Sequence, residues 1–409
     1  MRKVPPHDGA SKQSPDLPSL LQMTVPDHAT HDRKIVGLFT DLLGIGGVQE
    51  AGRLTAAAIT EIASAGGWTF EVLSLNDPAG EHTLPYCDSE MKFSGFGRDK
   101  ARFVLSATGK AFRAPRKGTA IVLAAHPHLA VPACYMQRVN PAFRTIVMSH
   151  GVEVWSPLSP RRFHALQKAS MVLAPSNYTA REIADKQAIC KSKIRRLPWP
   201  LNPSFLARCR NPRELPLPPE FPRGKIILTV GRWAAANRYK GTDTLILAID
   251  RLRGSIPDVH LVAVGSGDDL PRLQQIVADQ QITGQVHFLE NLSQEEVAAC
   301  YANSDVFALP STGEGFGLVF LEAMAFAKPV VAVDAGGSTD LVRDGVNGLL
   351  IPRENIELLA QGLCRLLQDE SLRRNLGECG AAMVRRDYQF STFSSALKQS
   401  LCDVASNRS

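Results

Sequence analysis

Residues 34–65, KIVGLFTDLLGIGGVQEAGRLTAAAITEIASA, combine an apolar run, a glycine-containing turn and a long stretch of small and apolar residues. This order predicts a buried strand, a glycine turn and a helix, which is how a doubly wound α/β domain opens. Three later runs, TAIVLAAH, RTIVMSHG and MVLAPS, each end in a polar or glycine turn. They predict buried parallel strands whose carboxyl ends carry ligand-facing loops.

The same alternation restarts after a stretch rich in proline. The prolines between residues 197 and 224 indicate that this stretch forms neither regular helix nor central strand. Beyond them, runs such as KIILTVGR, VHLVAVGSG, DVFALPS and KPVVAVD alternate with helical periodicity, which predicts a second parallel sheet flanked by helices. We therefore expect a disordered tail at 1–32, an N-terminal Rossmann-like domain at 33–205, a proline-rich linker at 206–223, a C-terminal Rossmann-like domain at 224–386, and at 387–409 a helix that returns to the N-terminal domain.

Length and composition set the broad class. At 409 residues the chain exceeds what one hydrophobic core usually organises, which favours two domains. With 44% hydrophobic and 21% charged residues, the composition is that of a folded globular protein and excludes a fibrous or disordered one. No apolar run approaches the roughly 20 residues that cross a bilayer, and the first residues lack a secretory signal, so we expect a cytoplasmic protein. The eight cysteines are scattered without a CxxC pair, which indicates reduced thiols.

The segment from Ser311 to Val331, STGEGFGLVFLEAMAFAKPVV, carries the strongest functional signal. Glu314 precedes a glycine-rich turn, and Glu322 lies about one turn inside a helix that would begin near Leu318. Both carboxylates can then face one pocket at the carboxyl end of a strand. Between them, glycine permits close backbone approach, and free N–H groups at the helix start can hold oxygens or phosphate. In the alternative interpretation, one glutamate caps a turn and the other is a solvated helix residue.

This segment resembles the signature of family 4, the retaining GT-B-fold glycosyltransferases also called glycosyl transferases group 1. The resemblance implies two Rossmann-like domains that face each other across a cleft and bind a nucleotide sugar. By motif position, Glu314 would contact the transferred sugar and Glu322 the ribose of the nucleotide. The turn and helix start between them would bind the donor through Gly315, Phe316, Gly317, Leu318 and Val319.

A second element, ILTVGRWAAANRYKGTDTLILAI, places Arg232 directly after a strand and Lys240 before Gly241 at the entry to a helix. It is similar to the family's GR…KG element, which implies that both cations neutralise the departing pyrophosphate. Arginine offers a rigid fork for phosphate oxygens and lysine a mobile point charge, so together they suit a developing negative charge. Either residue could instead be an ordinary surface cation.

Glycines at other predicted strand ends extend this donor site. Gly46 and Gly47 open the first helix, where their backbone could reach the donor phosphates across the cleft. Gly265, Gly267 and Leu292 follow strands of the second domain and could frame the ribose and base. Plain tight turns explain each of these glycines equally well.

Histidines mark the strand ends of the first domain. In SHGVEVW, His150 ends a predicted strand and Glu153 follows closely, similar to the family's HG element on the acceptor side. His126 and His128, in AAHPH, would line the same pocket. They lack the matched carboxylate or third histidine that a metal site would require. A histidine at a strand end is otherwise often a simple hydrogen-bonding residue.

Residues 92–117 concentrate basic and apolar side chains in the first domain. The cations of this basic segment are Lys92, Arg98, Lys100, Arg102, Lys110, Arg113, Arg116 and Lys117. The interleaved apolar residues are Phe93, Phe96, Phe103, Val104, Leu105 and Phe112. The segment could lie peripherally on an anionic membrane, which would suit an enzyme with a lipid-linked acceptor. A solvated basic helix face is the alternative.

Taken with the resemblance, these features predict retaining transfer of a hexose-type sugar from a nucleotide-sugar donor to a glycan, lipid-linked or small-molecule acceptor. No metal ion or other cofactor is expected, because there is no Asp-x-Asp between strands to hold a metal-bound diphosphate. The formal charge of +6 is modest for this length, and no nucleic-acid partner is expected. A sugar-nucleotide epimerase and an inactive sugar-nucleotide-binding scaffold remain the alternatives.

Overall fold

The computed structural model describes residues 33–87, 89–116 and 118–406 as two α/β domains, each built on one sheet. The N-terminal domain has an eight-stranded sheet and the C-terminal domain a six-stranded one, with helices on both faces. This confirms the doubly wound α/β class predicted from the sequence. The tail expected at 1–32 lies outside the described residues.

The N-terminal sheet has the strand order β3-β4-β2-β1-β5-β6-β7-β8. Its strands are β1 (Arg33–Phe39), β2 (Thr69–Ser74), β3 (Gly80–Tyr86), β4 (Ser89–Gly95), β5 (Thr119–Ala124), β6 (Phe143–Met148), β7 (Met171–Ala174) and β8 (Ile194–Arg196). All neighbours are parallel except β3 and β4, which pair antiparallel at one edge. Strands β5, β6 and β7 are the three runs predicted from the sequence, and they are almost wholly buried because helices cover both faces.

Five helices cover this sheet. They are α1 (Gly47–Gly66), α2 (Lys100–Arg113), α3 (Ala130–Val139), α4 (Pro160–Lys168) and α5 (Asn177–Lys186). Half of the buried residues of helix α1 are alanine, and the helix ends where Gly67 adopts a left-handed conformation with φ of 66°. Helix α2 begins at Asp99, whose carboxylate accepts the N–H of Arg102 at 3.0 Å.

The linker contains a short helix that the sequence analysis did not predict. Helix α6 (Pro203–Arg208) lies within the stretch from which prolines were expected to exclude regular helix, and that expectation is wrong here. Pro203 occupies the first turn, where its missing N–H has no intrahelical partner to lose. The side chain of Asn202 caps the helix by accepting the N–H of Ser204 at 2.8 Å.

The C-terminal sheet is entirely parallel, with the order β11-β10-β9-β12-β13-β14. Its strands are β9 (Lys225–Arg232), β10 (Val259–Ser266), β11 (Val286–Leu289), β12 (Val306–Leu309), β13 (Val330–Val333) and β14 (Gly348–Ile351). Its helices are α7 (Thr242–Leu252), α8 (Leu270–Asp279), α9 (Gln294–Asn303), α10 (Leu318–Ala325), α11 (Ser338–Leu341), α12 (Ile356–Gln368) and α13 (Glu370–Asp387).

The last helix crosses between the domains. Helix α14 (Phe390–Ser406) packs against α1 and β5 of the N-terminal domain. Where the two crossing segments meet, the N–H of Leu201 donates to the carbonyl of Tyr388 at 3.0 Å. The rings of Trp199 and Phe393 lie 5.9 Å apart. One hydrophobic core therefore continues from one domain into the other through this crossing.

The strand order places two crevices opposite each other. In the N-terminal sheet β1 lies between β2 and β5, and in the C-terminal sheet β9 lies between β10 and β12. Such switch points open a crevice beyond the carboxyl ends of the strands, where ligands of open α/β sheets bind. Across the described residues, no helix combines the length and apolar character needed to span a membrane.

Candidate active site

The C-terminal wall of the cleft holds an ion pair between two predicted residues. The Nζ atom of Lys240 lies 3.1 Å from Oε2 of Glu314, and both side chains are mostly buried. Burial opposes the charged ammonium and is the largest single effect, but the carboxylate of Glu314 and the side chain of Tyr239 together outweigh it and raise the pKa of Lys240 above its usual value. Lys240 is therefore a fixed positive charge at the carboxyl end of the sheet.

The position of Lys240 follows from the glycine after it. The 3₁₀ segment Ala235–Lys240 ends at Gly241, which has φ of 71° and leads into α7. A Cβ atom at Gly241 would lie 2.5 Å from the carbonyl oxygen of Pro310, so only glycine allows the loop to close against the end of β12. The carbonyl of Tyr239 also accepts the N–H of Thr312 at 2.8 Å. These contacts place Lys240 beside the loop that carries Glu314.

Arg232 reaches across the cleft to the other domain. At the end of β9, its Nη2 donates to the carbonyl oxygen of Ile45 at 2.7 Å. Gly46 has φ of 143°, a backbone conformation that favours glycine, and a Cβ atom there would lie 2.6 Å from the same Nη2. The adjacent Gly47 has open space around its Cα. The structure thus brings Arg232 and the predicted glycine loop together.

The turn between the two glutamates is packed largely against protein. A Cβ atom at Gly315 would overlap the carbonyl oxygen of His150, and the carbonyl of Gly315 accepts the hydroxyl of Ser176 at 2.9 Å. The ring of Phe316 is buried beside Tyr388. The glycine at 315 is therefore explained by close contact with the N-terminal domain.

The first turn of α10 begins with residues that are less buried than the glycine turn before it. Gly317 precedes the helix with φ of 96°, a left-handed conformation that favours glycine. Leu318 and Val319, which form the helix start, are only partly buried. No side chain caps this helix, so its first N–H groups remain available for an anion.

Glu322 has a different partner from Glu314. Its Oε2 accepts the hydroxyl of Tyr301 at 2.8 Å, and Tyr301 is fully buried. Burial raises the pKa of Glu322 to about 7, against the lowering effect of this hydrogen bond, and the charge of Glu50 adds a smaller increase. Tyr301 was not predicted as a site residue, although its place in the helix before β12 is compatible with packing beneath α10.

His150 is held in a stack of rings on the N-terminal wall. It lies between His126 and Trp199, with ring centroids 5.6 Å from each. Its Nε2 lies 2.7 Å from the carbonyl oxygen of Ala125, and since a carbonyl only accepts, Nε2 carries the hydrogen. The carboxylate of Glu153 accepts the backbone N–H of His150 at 2.5 Å, so Glu153 holds the turn that follows β6.

His126 and His128 form the outer part of this stack. The Nδ1 of His126 accepts the N–H of His128 at 3.1 Å, and their rings lie 4.4 Å apart. Burial, followed by the charges of His150 and His128, lowers the pKa of His126 to about 2, so its ring is neutral at physiological pH. Within the described residues, no three His, Cys, Asp or Glu side chains cluster in a way that could hold a metal ion.

Gly265 and Gly267 are explained by packing within the C-terminal domain. A Cβ atom at Gly265 would overlap the carbonyl oxygen of Gly231, and one at Gly267 would overlap that of Trp233. Leu292 is partly buried and packs against the core of the domain. These residues shape the loops after β10 and β11, beside Arg232.

Two Rossmann-like domains, with charged side chains of one facing a glycine loop of the other, define a protein of the GT-B type. Residues 217–383 match the sequence profile of the family described as Glycosyl transferases group 1. This match, which spans residues 217–383 of the 409, supports the resemblance to the group 1 glycosyltransferases predicted from the sequence.

Curated relatives match over part of the chain. A GDP-mannose-dependent alpha-(1-6)-phosphatidylinositol monomannoside mannosyltransferase of Mycolicibacterium smegmatis is 33% identical over 169 residues, which cover 40% of this chain and 44% of that protein. A D-inositol 3-phosphate glycosyltransferase of Salinispora arenicola is 38% identical over 175 residues, covering 41% of this chain and 38% of that protein. The matched stretch thus spans less than half the length of these two relatives.

Solved structures match over nearly the whole chain and show the fold. Sucrose-phosphate synthase from Thermosynechococcus elongatus superposes with a TM-score of 0.71 at 22% identity, covering 91% of this chain and 99% of that one. HepE of Anabaena, in complex with UDP, gives a TM-score of 0.65 at 18% identity, covering 90% and 100%. At this level of identity the likeness establishes the GT-B fold of both domains.

Proposed function

We propose that the chain is a retaining glycosyltransferase that moves a hexose-type sugar from a nucleotide-sugar donor to a glycan, lipid-linked or small-molecule acceptor. The observation that carries this proposal is the placement of Arg232 and of the Lys240–Glu314 pair at the C-terminal switch point, facing the glycine loop. A cleft with two cations and a carboxylate on one wall suits a sugar diphosphate. The UDP bound to HepE and the GDP-mannose dependence of the mycobacterial relative support the donor class.

In the proposed reaction, the nucleoside diphosphate leaves and charge develops on its phosphate oxygens. Lys240 and Arg232 stabilise that negative charge, and the free N–H groups at the start of α10 contribute further stabilisation. Arg232 would exchange its contact with the carbonyl of Ile45 for the diphosphate. The carboxylate of Glu314, oriented by Lys240, contacts the transferred sugar.

The anomeric configuration would be kept because the acceptor attacks from the face that the diphosphate leaves. The departing phosphate takes the acceptor proton, so the scheme requires no covalent intermediate with the enzyme. The cleft contributes positioning and charge stabilisation, which together account for most of the rate. Glu322, with one oxygen held by Tyr301, would bind the ribose hydroxyls.

The acceptor would enter along the N-terminal wall, beside the ring stack of His150 and His126. Both the mycobacterial relative and the Salinispora relative are named for acceptors that contain inositol, one of them a lipid. A lipid-linked acceptor would require that this domain approach a membrane. Association with the cytoplasmic face of a membrane stays a prediction.

Helix α2 supplies the surface for such an approach. Leu105 and Phe112 are each 71% exposed and lie seven residues apart, which places them on the same face of the helix. Two other apolar residues of the basic segment, Phe93 and Phe103, are buried in the core. Among its cations, Lys110 is paired with Glu71. The proposed membrane surface therefore includes fewer residues than the segment 92–117 expected from the sequence. Lys117, the last residue of that segment, lies outside the described residues.

A panel of donors tests the proposed activity. Purified protein would be incubated with UDP-, GDP-, ADP- and TDP-sugars, with the midpoint of thermal unfolding and the release of nucleoside diphosphate measured for each. We expect one class of donor to raise the midpoint, because ligand binding stabilises the native state, and to be consumed when a suitable acceptor is present. Nuclear magnetic resonance of the product should show the anomeric configuration of the donor.

Other outcomes would contradict the proposal in distinct ways. Rearrangement of the sugar nucleotide without an acceptor would indicate an epimerase. Binding of a donor without turnover, across acceptors that include inositol and lipid-linked ones, would indicate a scaffold. An inverted product would refute the retaining mechanism while leaving the glycosyltransferase class intact.

A further inference from the structure

The glycine loop after β1 is held from below by a buried carboxylate. Asp77 is 4% exposed, and its carboxylate accepts the N–H groups of Leu42 at 2.7 Å and Leu43 at 3.1 Å. The same carboxylate accepts the hydroxyl of Ser74 at 2.6 Å. A buried carboxylate with three donors is strongly fixed, because losing any one of them leaves a polar group unsatisfied.

The carbonyl groups of the loop are held by an arginine of α1. Nη1 of Arg53 donates to the carbonyl oxygens of Leu42 at 2.9 Å and Gly44 at 2.8 Å. The carbonyl of Leu42 and the N–H of Leu43 belong to one planar peptide unit. Arg53 and Asp77 therefore fix that unit at both ends.

The remaining nitrogens of Arg53 are held in turn by Glu50. Nε and Nη2 of Arg53 donate to Oε2 of Glu50 at 3.0 and 2.6 Å. The other oxygen, Oε1, accepts the hydroxyl of Tyr86 at 2.5 Å and Nδ2 of Asn202 at 2.7 Å. All three nitrogens of the planar guanidinium donate, which fixes its orientation in a way that a flexible ammonium could not reproduce.

The clamp formed by Asp77, Arg53 and Glu50 determines the direction of the backbone groups of the loop that it does not itself bind. In a trans peptide the N–H lies opposite the carbonyl, so the N–H of Ile45 points away from Arg53, which holds the carbonyl of Gly44. Ile45 is 87% exposed, and its own carbonyl is the group that Arg232 contacts across the cleft. The loop thus presents backbone groups to the same place where the proposed diphosphate would lie.

We propose that Arg53 and Asp77 are positioning residues that hold the loop 41–47 in its donor-binding conformation, with Glu50, Tyr86 and Asn202 keeping Arg53 in place. The inference rests on the proposed function, because it assigns the loop to the donor diphosphate. Asn202 also caps α6 in the linker, so the clamp is anchored at the segment where the chain passes between the domains.

The experiment compares Arg53→Gln with Arg53→Lys, Asp77→Asn and a control, Arg374→Gln. The control removes an arginine from an exposed pair with Glu370, at 3.0 Å on α13, far from the cleft. Amide hydrogen exchange of residues 41–47, the affinity for nucleoside diphosphate, and kcat and KM for the donor would be measured for each. Tyr86→Phe, which removes one hydroxyl from the clamp, serves as a milder variant should Arg53→Gln fail to fold.

We expect loop exchange to be roughly tenfold faster or more in Arg53→Gln and Asp77→Asn. We expect kcat/KM to fall roughly 100-fold, mostly in kcat, because a misplaced loop loses transition-state contacts. Arg53→Lys should lie between wild type and Arg53→Gln, Tyr86→Phe should lose a few fold, and Arg374→Gln should match wild type.

Transfer by Arg53→Gln within about twofold of wild type would overturn the proposal, and so would lost transfer with unchanged loop exchange. Failure of the proposed function would show itself differently, as an absence of transfer by the wild-type protein. In that case the exchange and nucleotide affinity of Arg53→Gln, which require no turnover, would still decide whether Arg53 positions the loop.

Discussion

The two walls of the cleft are built from different chemistry. The C-terminal wall carries charged side chains, with Lys240 paired to Glu314 and with Arg232 extending from β9. The N-terminal wall presents a backbone loop and a stack of rings, in which His126 is neutral because burial lowers its pKa to about 2. His150 lies in the middle of that stack.

This difference matches the two halves of the proposed reaction. The leaving diphosphate develops charge and needs fixed positive groups, whereas the acceptor hydroxyl needs a shaped and weakly charged surface. The walls also meet, since Gly315 of one domain packs against the backbone at His150 of the other. The arrangement predicts that mutations on the C-terminal wall, or of residues that hold the loop 41–47, chiefly affect the chemical step, and that mutations in the ring stack and in α2 chiefly affect binding and approach of the acceptor.

The largest effect is expected for Lys240→Ala. Removing the ammonium takes away charge stabilisation of the leaving group and leaves Glu314 mostly buried without its partner. We expect kcat/KM for the donor to fall by a factor of roughly 100 or more, measured by release of nucleoside diphosphate. Lys398→Ala, at an exposed site on α14, is the matched control. Turnover close to wild type in Lys240→Ala would remove the distinction between the walls.

The charged wall could be predicted from the sequence because its signals are local. The seven residues between Glu314 and Glu322, and the Lys240–Gly241 pair, fix the side chains to the end of β12 and the entry to α7. The hydrophobic period and the residue spacing are sufficient to locate these side chains, because each is positioned by the strand or helix next to it in sequence.

The other wall depends on contacts between distant parts of the chain. Glu50 and Arg53 lie in a helix that was predicted, but Asn202, which donates to Glu50, comes from the proline-rich stretch after β8. Asp77, which holds the same loop through the N–H groups of Leu42 and Leu43, comes from the loop after β2. No periodicity connects residues so far apart in sequence. The contact of Arg232 with Ile45 requires both domains to be folded and docked, so it also has no sequence signal.

The edge hairpin β3–β4 was missed for a related reason. Strand β3 alternates exposed and partly buried residues and contains Pro85, which a central strand would not tolerate. Its short, polar pattern lacks the apolar run that identified β5 and β6. The basic segment shows the same limit, because sequence order alone does not separate the buried Phe103 from the exposed Leu105.

A second prediction concerns the pH dependence of the charged wall. Burial raises the pKa of Glu322 from 4.5 to about 7, so between these values the native protein binds a proton that the unfolded chain has released. The free energy of unfolding should therefore fall as the pH rises through this window, by up to roughly 3 kcal/mol at pH above 7. Glu322→Gln keeps an acceptor for Tyr301 and removes the titration.

Urea unfolding at several pH values, without nucleotide, would test this. Glu322→Gln should be more stable than wild type at pH 8 and nearly equal to it at pH 4.5. Its donor affinity should still fall if the carboxylate binds ribose. Glu378→Gln, at an exposed helical site on α13, controls for the loss of a surface charge. Parallel pH profiles for wild type and Glu322→Gln would contradict the assigned burial effect.

The smallest effect is expected at α2, where the N-terminal domain would meet a membrane. Replacing Leu105 and Phe112 together by serine should weaken binding to phosphatidylcholine vesicles that contain phosphatidylglycerol by roughly tenfold, since burying about one CH₂ group of each side chain contributes about 0.8 kcal/mol and about 1.4 kcal/mol is tenfold. Arg102→Gln and Arg113→Gln should each lose about fivefold and reduce the dependence on the anionic lipid, because a cation near the surface contributes about 1 kcal/mol.

The control for α2 lies on the other domain. Val346 and Leu358 are 50% and 40% exposed, and replacing both by serine removes a comparable apolar surface from the C-terminal domain. Sedimentation with vesicles at rising salt should separate the two pairs: the α2 pair loses binding and the C-terminal pair does not. Equal binding by all variants would mean that the exposed face of α2 has no role at a membrane, and the N-terminal wall would then select its acceptor through the ring stack.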